Sequence, residues 1–175
     1  MSAETRSSIR LYGLRSYAPR VPIRRATAVD AEAVAYLLRD SFREVERLYT
    51  REGYAATTPD PSVVRERLKE GPTWVAEEGG FAVGTVSAVL RDLDLYIRSM
   101  AVIPSARGKR FGHSLFAEAF NLAVERKARR IYLSTTPFLY PAIRLYESLG
   151  FRRTGEPPDD LFGTPLFTMA KHLVR

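Results

Sequence analysis

Residues 106–112, ARGKRFG, combine three cations with two glycines where a β-like stretch gives way to a helical one. A turn before a helix exposes main-chain N–H groups, and the helix dipole adds positive charge, so a phosphate is its natural ligand. Gly108 and Gly112 would let the main chain approach such a ligand closely, and Arg107 and Lys109 would add charge. The segment matches neither the P-loop pattern nor the GxGxxG pattern of dinucleotide sites. These residues alone allow a phosphate site, a nucleic-acid contact or a solvated basic turn.

The elements on either side of this turn predict a strand, a helix and a second strand. Residues 94–104 and 130–136 are strand-like, and apolar residues recur at helical spacing between 108 and 126. A unit of this kind forms a right-handed crossover, so we expect the two strands to be parallel and adjacent.

The other segments extend this unit to a mixed α/β pattern. We expect strands at residues 21–27, 72–90, 151–155 and 164–173, of which 72–90 is a pair joined by a tight turn at Gly79 and Gly80. We expect helices from Asp30 to about Arg51, at residues 61–68, and at residues 141–150 with Pro141 in the first turn and Gly150 at the C-terminal cap.

Composition limits the classes of function. The chain has 175 residues, enough for one domain at residues 21–175, and it lacks cysteine, so we expect neither disulfides nor thiolate metal sites. With only two histidines, His113 and His172, metal catalysis is not expected either. No apolar run approaches the roughly 20 residues of a membrane span. We therefore expect a soluble, cytoplasmic protein without a membrane partner.

The net charge of +7 predicts an anionic ligand or partner. Part of the excess lies in residues 1–20, a basic arm that we expect to be solvated or disordered; a mitochondrial-type presequence is the less favoured interpretation.

Two motifs together identify a resemblance to a known family. MAVIPSARGKRFGHSLF at residues 100–116, followed after a strand by PAIRLYESLGF at residues 141–151, resembles the GCN5-related N-acetyltransferases (GNAT). The resemblance covers residues 21–173. It implies a GNAT-like α/β fold, with a mixed, mostly antiparallel central sheet, a parallel β-α-β crossover and helices on both faces. It also implies an acetyl-CoA-dependent N-acyltransferase that moves an acetyl group to a primary amine by direct attack in a ternary complex.

The resemblance also assigns roles to residues. The main chain of Met100, Ala101 and Val102 would pair with the pantetheine arm of acetyl-CoA. Tyr146 would protonate the departing thiolate as general acid. The pyrophosphate would be held by the turn and the start of the helix: Arg107, Gly108, Lys109, Arg110, Phe111, Gly112 and His113.

Acyl transfer from a thioester independently requires a neutral amine, a donor to the developing oxyanion and a proton for the leaving sulfur. We expect the N–H of Val102 to be the oxyanion donor. Tyr146, protonated at neutral pH with an ordinary pKa near 10, would supply the proton. The alternative for Tyr146 is that it forms the apolar face of a short helix together with Ile143 and Leu149.

The sequence departs from the family pattern at three places. Arg110 occupies the usual place of a glycine, which implies an opened loop or an added contact to the 3′-phosphate of CoA. The asparagine often found before the tyrosine helix is missing. Tyr96 stands at the place of the glutamate that serves some members as general base. Four carboxylates could replace that base, although none is favoured, and His113 is expected near phosphate or solvent instead: Asp92, Asp94, Glu77 and Glu78.

Two other functions remain open. One is a nucleic-acid-binding module that uses the turn and a second basic cluster formed by Arg126, Lys127, Arg129 and Arg130. The other is a degenerate GNAT sensor that binds acyl-CoA without turnover. No nucleic-acid-binding motif appears, so a nucleic-acid partner is not expected.

The acceptor side is expected to combine the first two helices, residues 50–61 and a C-terminal hairpin around residues 156–164. There Asp159 and Asp160 could attract an amine, although solvation is their more common role. A small-molecule amine, a protein N-terminus and a lysine side chain all remain candidates. An exposed terminal strand would favour a homodimer.

Overall fold

The structure is a computed structural model that describes residues 21–173. The predicted arm at residues 1–20 lies outside the described residues. The strands are β1 (Ile23–Arg25), β2 (Thr73–Glu78), β3 (Phe81–Arg91), β4 (Asp94–Val102), β5 (Arg130–Thr135), β6 (Arg152–Arg153), β7 (Asp159–Leu161) and β8 (Thr164–His172). The α-helices are α1 (Ala31–Phe42), α2 (Arg51–Thr57), α3 (Pro61–Glu70), α4 (Phe111–Glu125) and α5 (Tyr140–Ser148).

The strands form one mixed sheet in the order β1-β2-β3-β4-β5-β8-β6, and β7 pairs with β8 beside this path. All strand pairs are antiparallel except β4 and β5, which are parallel and adjacent. The predicted fold class and the predicted crossover are therefore confirmed.

Helices cover both faces of this sheet. One apolar cluster contains Leu115 of α4 and Ala76 of β2. A second cluster contains Leu38 of α1, Val64 of α3 and Val75 of β2. Neighbouring residues of a strand point to opposite faces, so Val75 and Ala76 enter different clusters. This two-sided core explains why β2 reads as a continuous apolar run.

The turn between β2 and β3 confirms the predicted hairpin. Gly79 and Gly80 have φ values of 60° and 82°, the left-handed region that a tight two-residue turn requires and that glycine adopts at low cost.

The first predicted helix was wrong in its extent. It was expected to continue to about Arg51, whereas α1 ends at Phe42 and is followed by a 3₁₀ segment, Arg43–Leu48, and by α2. Thr50 begins the new helix, because its Oγ1 accepts a hydrogen bond from the Gly53 N–H at 3.0 Å.

The C-terminal strand is not an edge of the sheet. β8 pairs with β5 on one side and with β6 and β7 on the other, so within the described part of the chain it offers no exposed edge for a homodimer. β7, a strand of three residues of which two are exposed, was not predicted.

Within residues 21–173 no helix is long and apolar enough to cross a membrane. In the same part of the chain no group of three acidic or histidine side chains is arranged to hold a metal ion.

Candidate functional site

The parallel strands β4 and β5 separate soon after they pair, and this separation creates the site. Their register contains only the pairs Asp94–Arg130, Leu95–Ile131 and Tyr96–Tyr132, although β4 continues to Val102. A cavity of about 720 Å³ opens where they diverge. Its wall includes β4, the turn before α4, the end of β5, and parts of α2, α3, α5 and β7.

The turn before α4 presents unpaired main-chain donors to this cavity. The Ser114 N–H donates to the Arg110 carbonyl at 3.1 Å, the first helical hydrogen bond of α4. The N–H groups of Phe111, Gly112 and His113 therefore have no acceptor among the described residues. Because α4 is 15 residues long, its dipole adds positive charge at this end. The arrangement fits a phosphate or pyrophosphate group.

Arg110, at the usual place of a glycine in the family pattern, has a left-handed backbone conformation that glycine adopts at low cost. Its φ is 65°, and the helix starts immediately after it, three residues later than the sequence indicated. A left-handed residue with a side chain costs about 1–2 kcal/mol.

The other two cations of the turn are neutralised by acidic side chains. Arg107 forms an ion pair with Glu44, and its Nη2 also donates to the Ser41 carbonyl at 3.0 Å. Lys109 pairs with Glu78 at 2.9 Å. Within residues 21–173 Arg110 has no ion-pair partner, so it is the cation of the turn that is available to a ligand.

Gly112 lies at the contact between the start of α4 and α5. A Cβ at this position would lie 2.9 Å from Cδ2 of Leu145, so the absence of a side chain lets the start of α4 contact α5. The sequence suggested a different role for Gly112, a close approach of the main chain to a phosphate, and did not predict this packing contact. Gly108, with a φ of 79° and open space beside its Cα, is the glycine that shapes the turn.

Val102 directs its main-chain N–H away from β3. The Ile103 N–H donates to the Val83 carbonyl at 2.9 Å, and successive residues of an antiparallel strand point their N–H groups to opposite sides. The Val102 carbonyl, on the same side as its N–H, accepts from Arg107 Nε at 3.2 Å. The Val102 N–H therefore points to the space left by the divergence of β5.

Met100 and Ala101 precede Val102 on this strand. Ala101 pairs with Thr85 of β3, so its N–H and carbonyl are directed into the sheet, although the residue lines the cavity. Met100 lies where the register with β3 shifts, and it has no partner in that register. Met100 and Val102 both line the cavity, where an extended ligand can reach their main chain.

Tyr146 is held in the cavity wall by the end of α5. Gly150, with a φ of 91°, ends the helix as predicted: its N–H donates to the Glu147 carbonyl and the Phe151 N–H donates to the Tyr146 carbonyl, both at 3.0 Å. Phe151 is fully buried, and its ring centre is 5.8 Å from that of Tyr146. The cap and this aromatic contact fix the position of the Tyr146 ring.

The hydroxyl of Tyr146 is strongly favoured in its protonated form. Burial raises its pKa above the usual value of 10, and the neighbouring Tyr49 and Tyr96 raise the pKa further. Tyr146 therefore carries its proton throughout the neutral range. Burial also raises the pKa of Tyr49, to about 12.

None of the four carboxylates considered as general bases lines the cavity. Glu77 pairs with Arg24 and Glu78 with Lys109, while Asp94 accepts from Arg130 Nε at 2.8 Å. Among the described residues the one carboxylate in the wall is Glu44, which is bound to Arg107.

His113 lines the cavity at the start of α4. Its pKa is lowered, first by burial and then by the charge of Arg110. This imidazole is neutral at pH 7 and lies at the end of the cavity formed by the start of α4.

The opposite wall is built from segments that are distant in the sequence. The Thr50 N–H donates to Thr164 Oγ1 at 2.9 Å, which attaches the start of α2 to the hairpin of β7 and β8. Gly53 is tightly enclosed there, since an added Cβ would lie 2.8 Å from the Leu161 carbonyl. Asp160 accepts from the Gly163 N–H at 2.7 Å, so it stabilises the hairpin turn.

Sequence reasoning missed several polar residues of the cavity wall, among them Tyr49, Arg67 and Arg98. Arg98 left a signal, because a charged residue inside the apolar strand sequence DLYIRSMAV is unusual unless it is paired or used. Tyr49 and Arg67 left none, since their neighbours in sequence are ordinary surface positions.

Comparisons of the sequence and of the structure with known proteins point to the same family. The family model described as "Acetyltransferase (GNAT) family" matches residues 33–151. The Escherichia coli (strain K12) protein named "Uncharacterized N-acetyltransferase YjgM" is 31% identical over 146 residues, which cover 79% of this chain and 86% of that protein.

Solved structures show the same architecture. The ribosomal-protein-alanine N-acetyltransferase of Brucella melitensis has a TM-score of 0.70 and 26% identity, covering 87% of this chain and 100% of its own. The Salmonella typhimurium protein yncA, solved with its cofactor acetyl-CoA, has a TM-score of 0.68 and 22% identity, covering 89% of this chain and 95% of its own. The second likeness concerns the fold alone.

Proposed function

The chain belongs to the acetyltransferase (GNAT) family, and from this premise we propose that it transfers an acetyl group from acetyl-CoA to a primary amine. The predicted family is confirmed by the comparisons, and the protein is an N-acetyltransferase by family membership. We further propose direct attack of the amine while both substrates are bound.

The fit of the co-substrate rests on the main chain. The three unpaired N–H groups at the start of α4 would bind the pyrophosphate, and Arg110 would contact the 3′-phosphate. Met100 and Val102 would bond to the pantetheine arm where β5 has diverged from β4. When bound, acetyl-CoA supplies an acetyl group activated as a thioester.

Two protein groups would then assist the transfer. The Val102 N–H would donate to the carbonyl oxygen on which negative charge develops. Tyr146 would give its proton to the departing thiolate, a role for which its raised pKa keeps the proton available. Because the described cavity wall offers no unpaired carboxylate, the amine would lose its proton to water before it attacks.

One observation carries this proposal: the unpaired donors of α4, the divergent strand β4 and Tyr146 all face the same cavity. An ion-paired Arg130, bound to both Asp94 and Glu156, disfavours the alternative of a nucleic-acid track through the second basic cluster. The sensor alternative is disfavoured by Tyr146, a proton donor that lines the cavity and that a protein binding acyl-CoA without turnover would not need. The cytoplasmic location and a homodimer stay predictions.

The test is a calorimetric titration of the purified chain with acetyl-CoA and with 3′-dephospho-CoA, at low and raised salt, followed by an assay of CoA release with a panel of amines. We expect one-to-one binding that weakens without the 3′-phosphate, and CoA release that depends on an amine. Binding without release for any amine would favour the sensor instead. Absence of binding would overturn the proposal, and nucleic acid would be the next ligand to titrate.

A further inference from the structure

Three arginines line the cavity on the side of β4 that faces α1 and α3, away from the start of α4. They come from separate elements: Arg67 from α3, Arg91 from β3 and Arg98 from β4. Arg91 is exposed, and its guanidinium lies over the ring of Tyr96 at 4.4 Å. Arg67 and Arg98 are both largely withdrawn from solvent.

The guanidinium of Arg98 has unused donors. Its side chain is 17% exposed, and its Nε and Nη2 are buried without a hydrogen-bond acceptor among the described residues. Glu70 Oε2 lies 3.0 Å from Nη2, which balances the charge, although the pair lacks hydrogen-bond geometry. A buried donor without an acceptor is costly, so a polar ligand is expected at this position.

Arg67 supplies a charge without a counterion. It forms no ion pair within residues 21–173, and of its donors Nη2 bonds the Ala56 carbonyl at 3.0 Å. Its pKa is lowered, first by burial and then by the charge of Arg98, so the two guanidiniums are close enough to repel each other. The one carboxylate in the described cavity wall, Glu44, is already bound to Arg107.

Arg67 and Arg98 line the same cavity, and the unpaired donors of Arg98 suit a carboxylate, which accepts two parallel hydrogen bonds from an arginine. With Arg98 balanced by Glu70 and Arg67 unbalanced, a monoanion completes the local charge. We propose that the amine acceptor carries a carboxylate, bound by Arg67 and Arg98, so that the substrate is a small amino carboxylate. This inference rests on the proposed acetyl transfer and names its substrate class.

The proposal separates the acceptor classes that the sequence left open. An amino acid or a related amino carboxylate would satisfy the donors of both arginines while its amino group faces the acetyl group. A simple alkylamine or a lysine side chain of a folded protein would leave the free N–H donors of Arg67 and Arg98 without acceptors in the bound state. A binding site strongly rejects substrates that leave its buried polar groups without partners.

The experiment measures CoA release with matched acceptors, in which each free amino acid is tested beside its carboxamide. Wild-type protein should prefer at least one carboxylate acceptor over its carboxamide. Arg67→Gln should raise KM for that carboxylate about tenfold or more and change kcat little, because hydrogen bonds to a charged group are lost. Arg67→Lys should restore part of the affinity, since it keeps the charge without the planar fork.

The control is Arg65→Gln on the same helix. Arg65 is exposed, its ion pair is with Glu32 on α1, and it does not line the cavity. It should leave KM for both acceptors unchanged. A rise in KM of the same size in Arg65→Gln and Arg67→Gln would overturn the proposal, because it would assign the effect to helix α3 in general.

A binding measurement avoids dependence on turnover. Calorimetry in the presence of CoA compares N-acetyl amino acids with their carboxamides, and we expect carboxylate binding that weakens in Arg67→Gln. Equal binding of both forms, or no carboxylate binding by a protein that binds CoA, overturns this inference and leaves the acetyl transfer standing. Failure to bind CoA overturns both.

Discussion

The two ends of the cavity are built from different parts of the chain. The proposed CoA end consists of main-chain groups, namely the N–H groups at the start of α4 and the unpaired side of β4 at Val102. The proposed acceptor end consists of side chains, chiefly Tyr49, Arg67 and Arg98, contributed by separate elements.

This difference has a physical origin. Main-chain donors at a helix start exist for any sequence that forms the turn, so the CoA end depends on a few residues that shape the backbone. Side-chain donors must be placed one at a time by helices and strands that pack together. Substitutions at the proposed acceptor end can therefore change its side-chain donors without altering the main-chain donors of the proposed CoA end.

The largest effect is expected at Tyr146, which lies between the two ends. Tyr146→Phe removes the proton donor and should lower kcat about 100-fold or more, while CoA affinity changes little because the ring still packs against Phe151. Steady-state kinetics and calorimetry measure the two quantities. Tyr140→Phe, an exposed tyrosine of the same helix, is the control and should behave as wild type. Equal losses of turnover and CoA affinity would contradict the general-acid role.

The pH dependence tests the absence of a base at the acceptor end. If the amine loses its proton to water, kcat/KM should rise about tenfold per pH unit up to the pKa of the amine. Tyr146, whose pKa is raised above 10, stays protonated, so no loss of activity is expected below about pH 10.

A base within the protein would produce a different profile. The pKa of His113 is lowered from 6.5, so catalysis by this imidazole would give a rising limb below that pH. This rise of kcat/KM with pH should then be the same for acceptors of different pKa and should be absent in His113→Gln. That result would show that the cavity supplies its own base.

Gly112 tests the packing that supports the CoA end. Gly112→Val places atoms against Cδ2 of Leu145, so the Leu145 side chain and the start of α4 must move apart, which we expect to disturb the alignment of the N–H groups. We expect CoA affinity to weaken about tenfold and stability to fall by about 1–3 kcal/mol. Calorimetry and thermal unfolding give these values. Gly155→Val is the control, because no atom lies within 4 Å of the added Cβ. Unchanged CoA affinity would mean that the helix start does not hold the ligand.

Arg110→Gly should give the smallest effect and separates charge from backbone shape. Glycine relieves the left-handed strain, for a net gain of about 0.5 kcal/mol in stability after its larger unfolded-state entropy. CoA affinity should fall about two- to fivefold, whereas 3′-dephospho-CoA should bind as before.

The matched control for Arg110 is Lys127→Gly at the other end of α4. Lys127 is also a left-handed cation, with a φ of 55°, so its replacement relieves similar strain and removes the same charge. It should gain stability without any change in CoA affinity. A similar loss of affinity in both variants would assign the effect to net charge rather than to a contact with the 3′-phosphate.

Local sequence signals predicted several elements of the fold. The hairpin at Gly79 and Gly80 and the cap at Gly150 depend on glycine conformation, and the crossover follows from the order strand, helix, strand. The break between α1 and α2 was missed, because contacts of Gly53 with the distant β7–β8 hairpin help to decide where α2 lies. β7 was missed because a strand of three residues, two of them exposed, carries no apolar alternation.

The sequence by itself determined the family, the order of the elements and the positions of the turn and of Tyr146, since these depend on glycine conformation, helix starts and short-range periodicity. Only the tertiary structure decided that Arg107 and Lys109 are neutralised, that Gly112 serves packing and that Arg67 lies with Arg98 in one cavity. Those outcomes depend on contacts between residues about 30 or more positions apart. Such contacts are set by how helices pack on the sheet, and no local pattern of residue types encodes them.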